Sequence, residues 1–303
     1  MTNAMPGRFH GFLVIDKPAG WTSHDVVARV RKLLNEKRVG HAGTLDPAAT
    51  GVLPVAVGQA TKSIEWLEHA KKSYLAEITF GVATDSCDAD GVVIELGNPA
   101  TLDRSLVEAA LKRFRGPILQ IPPMFSAIKI GGQKLYQLAR KGVTIEVEPR
   151  PVVLHQIQLV GWAAPVATIL VECSKGTYVR SIARDLGEAV GVPAHLSNLV
   201  RLTSGPFALD EAWTLTELAD ADFNLEWESI AIHPDVAASH LDVLVMDDAG
   251  YEAWRHGRTL AVKPAEHAAD VRVYSREGLW AGIGRIDAGT AIAQPVRVIK
   301  DAA

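Results

Sequence analysis

The pattern of apolar residues in two short segments limits the possible folds more than any other feature of the sequence. From Ser73 to Phe80, apolar side chains alternate with other residues, as expected for a β-strand that buries one face. From Ala167 to Cys173 the apolar residues are nearly continuous, which indicates a strand buried inside a sheet. A helical period follows the Thr22–Ser23 cap and continues to about Leu34. The chain therefore combines a sheet with helices.

The same patterns predict several further elements. The turn Asp85–Gly91 and the apolar run Val92–Leu96 predict that the strand Ser73–Phe80 continues into a β-hairpin. Leu102–Phe114 is predicted to be a helix, and Val143–Val147 is predicted to be a strand.

Charge is distributed unevenly along the chain and indicates two domains. The 303 residues carry a formal net charge of −4. Residues 1–209 hold 23 Lys and Arg against 18 Asp and Glu, whereas residues 210–303 hold 8 against 17. Short strand patterns and glycine-marked turns after Pro234 predict a small β-rich unit, so we expect domains at 8–234 and 235–303. A polyanion would be attracted to the first domain and repelled by much of the second.

Composition excludes several classes of protein. Cys87 and Cys173 are the only cysteines and have no CxxC spacing, so we expect neither a disulfide framework nor a cysteine-based zinc site. The ten histidines show no HxxxH or HExxH spacing, so we expect no metal. The apolar stretches are too short to span a membrane, and the N-terminus lacks the apolar core of a signal peptide. We therefore expect a cytoplasmic protein that does not bind a membrane.

The most unusual loop in the sequence is Gly40–Gly51, which contains a single carboxylate, Asp46, directly before Pro47. A loop rich in glycine and proline can hold one acid in a fixed geometry and leave it open to a substrate. Alternatively, Asp46 caps the short turn that begins at Pro47. The residues of this loop alone leave both interpretations open.

A second candidate motif, Lys175–Arg180, follows the buried strand directly. If the strand continued through it, alternation would place Tyr178 and Arg180 on the same face. An arginine can hold a carboxylate in its ionised form, and a tyrosine offers a flat face with a polar tip. An ordinary structural ion pair would explain Arg180 equally well.

The sequence Lys71-Lys72-Ser73-Tyr74 begins the alternating strand with two cations and an aromatic ring. Cations for phosphates and an aromatic face for a base are what recognition of single-stranded nucleic acid requires. A solvated strand end would give the same pattern.

Two short motifs have better explanations than the functions they suggest. Ser86–Gly91 matches half of a calcium loop, but the twelfth position is Gly97 where a glutamate is required, so we interpret it as a turn. Ser126 and Lys129 match the S-x-x-K signature of acyl-serine enzymes. The K-T-G strand that these enzymes need is replaced by Lys175-Gly176-Thr177, in the wrong order.

Six blocks, in order, resemble the TruB family of tRNA pseudouridine synthases. They span most of residues 11–205, and the ordered set is far more specific than any one block. The blocks are Ile15–Ser23, Gly40–Gly51, Lys72–Tyr74, Pro122–Gly132, Leu135–Gly142 and Lys175–Arg180.

This resemblance implies the fold class. The first domain should be an α+β catalytic domain of the pseudouridine synthase type, with a mixed, mainly antiparallel sheet. A mobile insertion at about 124–150 should close on the tRNA arm. The unit at 235–303 resembles the small β-domain of many relatives, which is often PUA-like.

The resemblance also implies an activity, the isomerisation of a uridine in the T loop of tRNA (tRNA position 55) to pseudouridine without metal or organic cofactor. Asp46 would be the catalytic carboxylate, and Arg180 would pair with it. Tyr74 would stack on the flipped uracil, and Tyr178 would position the target or handle a proton. His41 would be inserted where the base leaves the stack.

The partner implied is the T-arm stem-loop of tRNA. Because no long apolar stripe is left over for an interface, we expect a monomer. The residues expected to contact the RNA or the site region, besides His41, are Lys17, Lys71, Lys72, Lys129, Lys134, Arg140 and Lys175.

Two alternatives and the chemical route stay open at this point. The protein could be a tRNA-folding chaperone for which catalysis is secondary, or an acyl-serine hydrolase that uses Ser126 and Lys129. Asp46 could attack the pyrimidine ring, attack the ribose carbon, or take a proton from the ribose. Each route needs an ionised Asp46, and we expect Arg180 to stabilise that form.

Overall fold

The computed structural model describes residues 10–67, 70–126, 128–139, 141–143, 145–220, 229–263 and 268–299. The strands form a nine-stranded sheet, a five-stranded sheet and two two-stranded ribbons. In chain order they are β1 (Gly11–Lys17), β2 (Val39–His41), β3 (Thr50–Val57), β4 (Lys72–Phe80), β5 (Val82–Thr84), β6 (Val93–Leu96), β7 (Gly116–Gln120), β8 (Lys129–Ile130), β9 (Gln133–Lys134), β10 (Arg150–Ala163), β11 (Val166–Cys173), β12 (Ala194–Ser204), β13 (Phe207–Ala208), β14 (Asp242–Met246), β15 (Leu260–Ala261), β16 (Ala269–Ser275), β17 (Trp280–Asp287) and β18 (Ile292–Val298). The α-helices of the described residues are α1 (Ser23–Leu34), α2 (Arg104–Leu111), α3 (Leu135–Ala139), α4 (Val179–Val190), α5 (Leu215–Asp220) and α6 (Asp248–Arg255).

The nine-stranded sheet has the order β1-β3-β12-β4-β11-β10-β7, with β2 beside β3 and β13 beside β12. Within the described strands, its pairings are antiparallel except that of β12 with β3. The side chains of β4 alternate between buried and partly buried, as its sequence predicts. The predicted α+β fold with a mixed, mainly antiparallel sheet is confirmed.

Helices cover the sheet because their apolar faces need a partner. Val107 of α2 and Ile182 of α4 share one core with Ile78 and Ile169 of the central strands. A second core lies between α1, α5 and strands β1 and β3. The predicted cap of α1 is present, since Thr22 accepts a hydrogen bond from the Asp25 backbone N–H while the Asp25 carboxylate accepts one from the backbone N–H of Thr22. No helix among the described residues is both long and apolar enough to span a membrane.

The structure corrects two predictions: the hairpin that was to follow β4, and the strand at Val143–Val147. The chain turns at Gly81 after β4, and the predicted turn Asp85–Gly91 joins β5 to β6 instead. The central strand β4 pairs with β11 and β12, which come much later in the sequence. The described part of Val143–Val147 is irregular, and Val147 is buried by packing without a strand ladder.

The last part of the chain forms the five-stranded sheet β14-β16-β17-β18-β15, which confirms a β-rich unit. It also contains α6, which the sequence patterns did not predict. The fully buried Trp254 of α6 packs into this sheet and donates its indole N–H to the Ala281 carbonyl at 3.2 Å. The unit contacts the rest of the chain, because Arg297 forms an ion pair with Glu65 at 2.6 Å.

The approach of β12 to β3 leaves no room for a side chain at Gly51. This glycine has φ +96°, and a Cβ atom added there would overlap the backbone of Arg201. Gly116 is also left-handed, with φ +85°, but open space surrounds the position of its Cβ.

We therefore expect Gly51→Ala to lower the free energy of unfolding by about 3 kcal/mol, because backbone strain and steric overlap add together. Gly116→Ala, which has only the backbone strain, should cost about 1 kcal/mol. Urea denaturation of the two variants measures both values. Equal losses would show that β3 and β12 can separate at no extra cost.

Candidate functional site

The site is built around the loop between β2 and β3, which contains Asp46. The Ala49 N–H donates to the Asp46 carbonyl at 3.1 Å and closes a short turn. The Gly20 N–H donates to the Pro47 carbonyl at 2.9 Å and ties the Asp46 loop to the turn that follows β1. Leu45 is buried in the core beneath the loop. The Asp46 side chain is 45% exposed, so the acid is fixed at its backbone and open at its carboxylate.

A buried lysine holds the loop from one side. Lys17, at the end of β1, is 0% exposed, and its Nζ donates hydrogen bonds to the carbonyls of Trp21 (2.7 Å), Pro18 (2.9 Å) and Pro47 (3.0 Å). Burial lowers the pKa of Lys17 to about 8, although the Asp46 carboxylate opposes this shift. Lys17 thus lies in the site region, and its fully buried ammonium directs its protons to backbone carbonyls, which does not favour a direct contact with RNA.

Ser23, at the start of α1, bonds to both backbone groups of Leu45. Its hydroxyl accepts from the Leu45 N–H at 2.9 Å and donates to the Leu45 carbonyl at 3.2 Å. The side chain is buried, so both bonds are shielded from water. The helix cap and the Asp46 loop are thus joined directly.

A buried arginine holds the other side of the loop. Arg201 of β12 is 0% exposed, and its Nε donates to the Val52 carbonyl at 2.6 Å while its Nη2 donates to the Gly43 carbonyl at 3.0 Å. Its guanidinium also hydrogen-bonds the Tyr74 side chain. Tyr74 lies in the core cluster beneath Asp46 and is 8% exposed, and burial raises its pKa.

The loop acid pairs with an arginine from a distant segment. Arg180, in the first turn of α4, places its Nε 3.0 Å from Asp46 Oδ2, and its side chain is only 6% exposed. Its Nη1 lies 3.4 Å from Asp88 Oδ2. The remaining donors reach the carbonyls of Ser86 (3.2 Å) and Phe125 (2.9 Å). One buried guanidinium therefore connects the loop to two other parts of the chain.

Burial, more than the arginine, sets the ionisation of Asp46. Burial raises the pKa of the Asp46 carboxyl above its ordinary value, Arg180 opposes the rise, and the nearby Asp88 adds to it. The expectation that Arg180 favours the ionised form is right in direction. It is incomplete, because the net shift is upward.

Tyr178 and Arg180 come together in a way that the sequence did not predict. The strand ends at Cys173, and Tyr178 is the N-cap residue of α4, so strand alternation does not apply to them. The buried Gln120 amide accepts from the Tyr178 N–H at 2.8 Å and donates to the Tyr178 carbonyl at 3.1 Å. Burial raises the pKa of the Tyr178 phenol, which lies beside the Ser126 hydroxyl.

His41, at the end of β2, lies near His24 and the buried Arg201. Its ring lies edge-to-face with that of His24, with 5.3 Å between the centroids. Its Nδ1 is buried with no hydrogen-bond partner among the described residues. Burial lowers the pKa of His41, so the neutral ring is favoured.

Of the other predicted basic residues, the Lys72 side chain lies beside Gly43 of the Asp46 loop, close to Arg201. Lys71 forms an exposed ion pair with Glu172 at 3.0 Å, and Lys72 begins the central strand β4. Lys129 and Lys175 are exposed. Arg140 and the side chain of Lys134 fall outside the described residues.

The geometry of Ser126 and Lys129 argues against the acyl-serine alternative. Ser126 is buried next to Tyr178, whereas Lys129 is exposed on β8. A nucleophile of this class must be open to its substrate and within reach of its base. Ser126 is not open to a substrate, and no hydrogen bond joins it to Lys129 among the described residues.

Sequence reasoning missed four side chains of the site. Asp88 was interpreted only as part of a turn, and Ser23 only as the start of a helix. Arg201 carries no local signal, because its partners lie far away in the sequence and β12 contains several other polar residues. For Gln120, a polar residue at the end of an otherwise apolar strand was the available clue.

Three family models match this chain in successive ranges. Residues 31–179 match the model of the TruB family pseudouridylate synthase N-terminal domain. Residues 180–234 match the tRNA pseudouridylate synthase B C-terminal domain, and residues 243–299 match the C-terminal domain of pseudouridine synthase II TruB.

Individual relatives are similar over most of their length. A tRNA pseudouridine synthase B from Symbiobacterium thermophilum is 54% identical over 72% of this chain and 74% of its own. One from Geobacter sulfurreducens is 44% identical, covering 86% and 85% of the two chains. Among solved structures, a Cbf5-Nop10-Gar1 complex superposes with a TM-score of 0.75 at 26% identity, over 96% of this chain and 84% of that chain. An H/ACA RNP bound to a substrate RNA containing 2′-deoxyuridine gives 0.74 at 26% identity, over 97% and 85%.

The bonds of Lys17 generate a stability prediction. Lys17→Met keeps the length of the side chain but leaves three carbonyls without their donor, so we expect a loss of about 2 kcal/mol or more in the free energy of unfolding. Lys37→Met, at an exposed position near the end of α1, is the matched control and should change stability by less than about 0.5 kcal/mol. Denaturant unfolding of both variants provides the comparison. A Lys17→Met protein as stable as the control would show that the loop does not depend on this ammonium.

Proposed function

Because this chain belongs to the TruB family of pseudouridylate synthases, we propose that it isomerises one uridine in the T loop of tRNA, at tRNA position 55, with Asp46 as its single catalytic carboxylate. As a member of this family, the protein is an isomerase that acts on tRNA. The finer parts of the proposal are the target loop, the flipping of the base and the role of each side chain.

The observation that carries the proposal is the ion pair between Asp46 and Arg180. The acid is half exposed, whereas its partner is 6% exposed and bonded to two backbone carbonyls as well. A substrate can therefore approach the carboxylate without first displacing the arginine. A fixed, charge-compensated acid at an open position is suited to nucleophilic or base catalysis.

The chemistry needs one carboxylate and balances without a further reagent. The bond between uracil N1 and ribose C1′ breaks, and a bond between uracil C5 and C1′ forms. C5 loses a proton and N1 gains one, so that the product is an isomer of the substrate. Asp46 could attack the uracil ring, attack C1′, or take a proton from the ribose, and in each case it must be ionised.

Two aromatic side chains would hold the base during its rotation. Extruding a base from a folded loop costs a few kcal/mol, and stacking on an aromatic ring returns roughly 1–3 kcal/mol. In this proposal the uracil stacks on Tyr74 beneath Asp46. Tyr178, beside Arg180, positions the base or handles the proton that leaves C5. His41 enters the stack at the place that the base has left.

The RNA would approach the exposed face of the same region. Lys129 and Lys175 are exposed and lie within the more basic part of the chain, residues 1–209. In the proposal these cations contact the phosphates of the T arm, and the insertion at about 124–150 closes over it.

The role of Asp46 can be separated from RNA binding. Asp46→Asn should lower the rate of pseudouridine formation by about 1,000-fold or more, because an amide can neither attack carbon nor accept a proton at neutral pH. The dissociation constant for tRNA should stay within about 3-fold, since the backbone of the loop is unchanged. Rates are measured on unmodified tRNA transcript by mapping pseudouridine, and binding is measured by filter retention.

Asp90→Asn, at an exposed position of the Asp85–Gly91 turn, is the matched control and should keep the wild-type rate. A near-normal rate for Asp46→Asn would remove Asp46 from the mechanism. Conversion of a uridine outside the T loop would refute the target assignment. If wild-type protein refolds tRNA but converts none of it, the chaperone alternative is correct.

The dependence of the rate on pH tests the ion pair. Because the ionised form is active and burial raises the pKa of Asp46, the rate should fall as the pH drops through a value above the ordinary range of aspartate. Arg180→Gln removes the group that opposes the rise, so this acid limb should move upward by about 1 pH unit or more. Arg180→Lys should shift it less, because the charge is retained. Single-turnover rates across the pH range measure the limb, and an unchanged limb in Arg180→Gln would contradict the pairing.

A further inference from the structure

The buried side-chain amide of Gln120 forms two hydrogen bonds with the backbone of Tyr178, the residue at the start of α4. Gln120, the last residue of β7, is 1% exposed. Its side chain accepts from the Tyr178 N–H at 2.8 Å and donates to the Tyr178 carbonyl at 3.1 Å. Only one orientation of the amide satisfies both bonds, so the side chain fixes the backbone of Tyr178 in two directions.

Gln120 also lies at the base of the insertion at about 124–150, that is, where β7 ends just before the insertion begins. In the sheet it is the register partner of Arg150, where the chain returns into β10. The chain on both sides of the insertion is therefore paired in the sheet next to Tyr178. A displacement of the insertion would reach the sheet at this point.

Further bonds join the segment 121–125 to the first two turns of α4. The Ser181 hydroxyl and Arg184 Nη2 donate to the Ile121 carbonyl at 2.8 and 3.0 Å, respectively. Arg180 donates to the Phe125 carbonyl at 2.9 Å. The segment 120–125 and the first two turns of α4 are thus joined by five hydrogen bonds, two of which belong to Gln120.

The position of this turn determines the reach of Arg180. Arg180 lies two residues after Tyr178, and its Nε must come within 3.0 Å of Asp46. A helix start that shifts by a fraction of an ångström would lengthen this bond while the Asp46 loop stayed held by Lys17 and Ser23. The ion pair is therefore sensitive to whatever fixes Tyr178.

We propose that Gln120 is a positioning residue, which couples the base of the 124–150 insertion to the first turn of α4 through Tyr178 and so sets the contact of Arg180 with Asp46. Gln120 lies beneath the helix turn and acts through the backbone. The consequence for catalysis rests on the proposed function. The geometric consequence, the dependence of the Arg180–Asp46 contact on Gln120, does not.

The test replaces the amide by an isosteric apolar side chain. Gln120→Met should speed hydrogen exchange at the Tyr178 amide by about 10-fold or more, because this N–H loses its acceptor. The Arg180 Nε–H resonance of ¹⁵N-labelled protein, assigned with Arg180→Lys, should move away from its ion-paired position. Both measurements are made on the full chain without RNA. Gln158→Met, at an exposed position on β10, is the matched control and should change neither.

Activity then provides the functional readout. Gln120→Met should lower kcat by about 10-fold or more, leave KM for tRNA within about 2-fold, and move the acid limb of kcat upward. A purely structural role would lower the melting temperature without moving the acid limb of the folded enzyme. If Gln120→Met does not fold, Gln120→Asn replaces it, since this amide is one methylene shorter and cannot hold both backbone groups.

Each outcome decides the proposal. Faster exchange at Tyr178 with unchanged Arg180 resonance and unchanged acid limb would overturn it, as would wild-type exchange. A shifted Arg180 resonance together with a lowered kcat would support it. If the wild-type protein forms no pseudouridine, the proposed function fails, while the resonance of Arg180 still decides whether Gln120 sets the contact.

Discussion

The site depends on two buried cations whose hydrogen bonds end on backbone carbonyls. Removing an ammonium or a guanidinium from water costs several kcal/mol, and the cost is offset only when every proton finds an acceptor. Lys17 meets this condition with three carbonyls, and Arg201 bonds the carbonyls of Gly43 and Val52. Burial lowers the pKa of Lys17 to about 8, because removal from water disfavours the charged ammonium. Because the carbonyls belong to the Asp46 loop and its neighbours, these bonds fix the place of the acid.

A third cation, Arg180, is used differently because it pairs with two carboxylates. Its charge is shared between Asp46 and Asp88. Two carboxylates beside one guanidinium cannot both be fully compensated, so burial still raises the pKa of Asp46. The acid is therefore more basic than an ordinary surface aspartate. This property favours attack on carbon or acceptance of a proton, provided that the group remains ionised at the working pH.

Local patterns predicted the parts of the molecule that local interactions determine. Strand β4 was evident from alternation, and the glycine- and proline-rich loop marked Asp46 as a candidate. The hairpin assigned to β4 was wrong, because the choice of partner depends on strands β11 and β12, far away in the sequence. Arg201 and Gln120 were not predicted for the same reason. Arg201 bonds to Val52 and Gln120 bonds to Tyr178, and the sequence around each residue does not specify these distant partners.

The buried bonds also bear on how the energy of RNA binding would be used. Lys17, Ser23 and Arg201 hold the Asp46 loop to β1, α1 and β12, and Gln120 holds the turn that carries Arg180. The groups that would meet the uracil are therefore already oriented by the protein itself. Little of the free energy of association is then needed to order these groups, whereas a flexible site would have to be ordered by the ligand. Under the proposed function, contacts with the T arm can then offset the cost of extruding a stacked base, which is the step that the protein interior cannot prepare in advance.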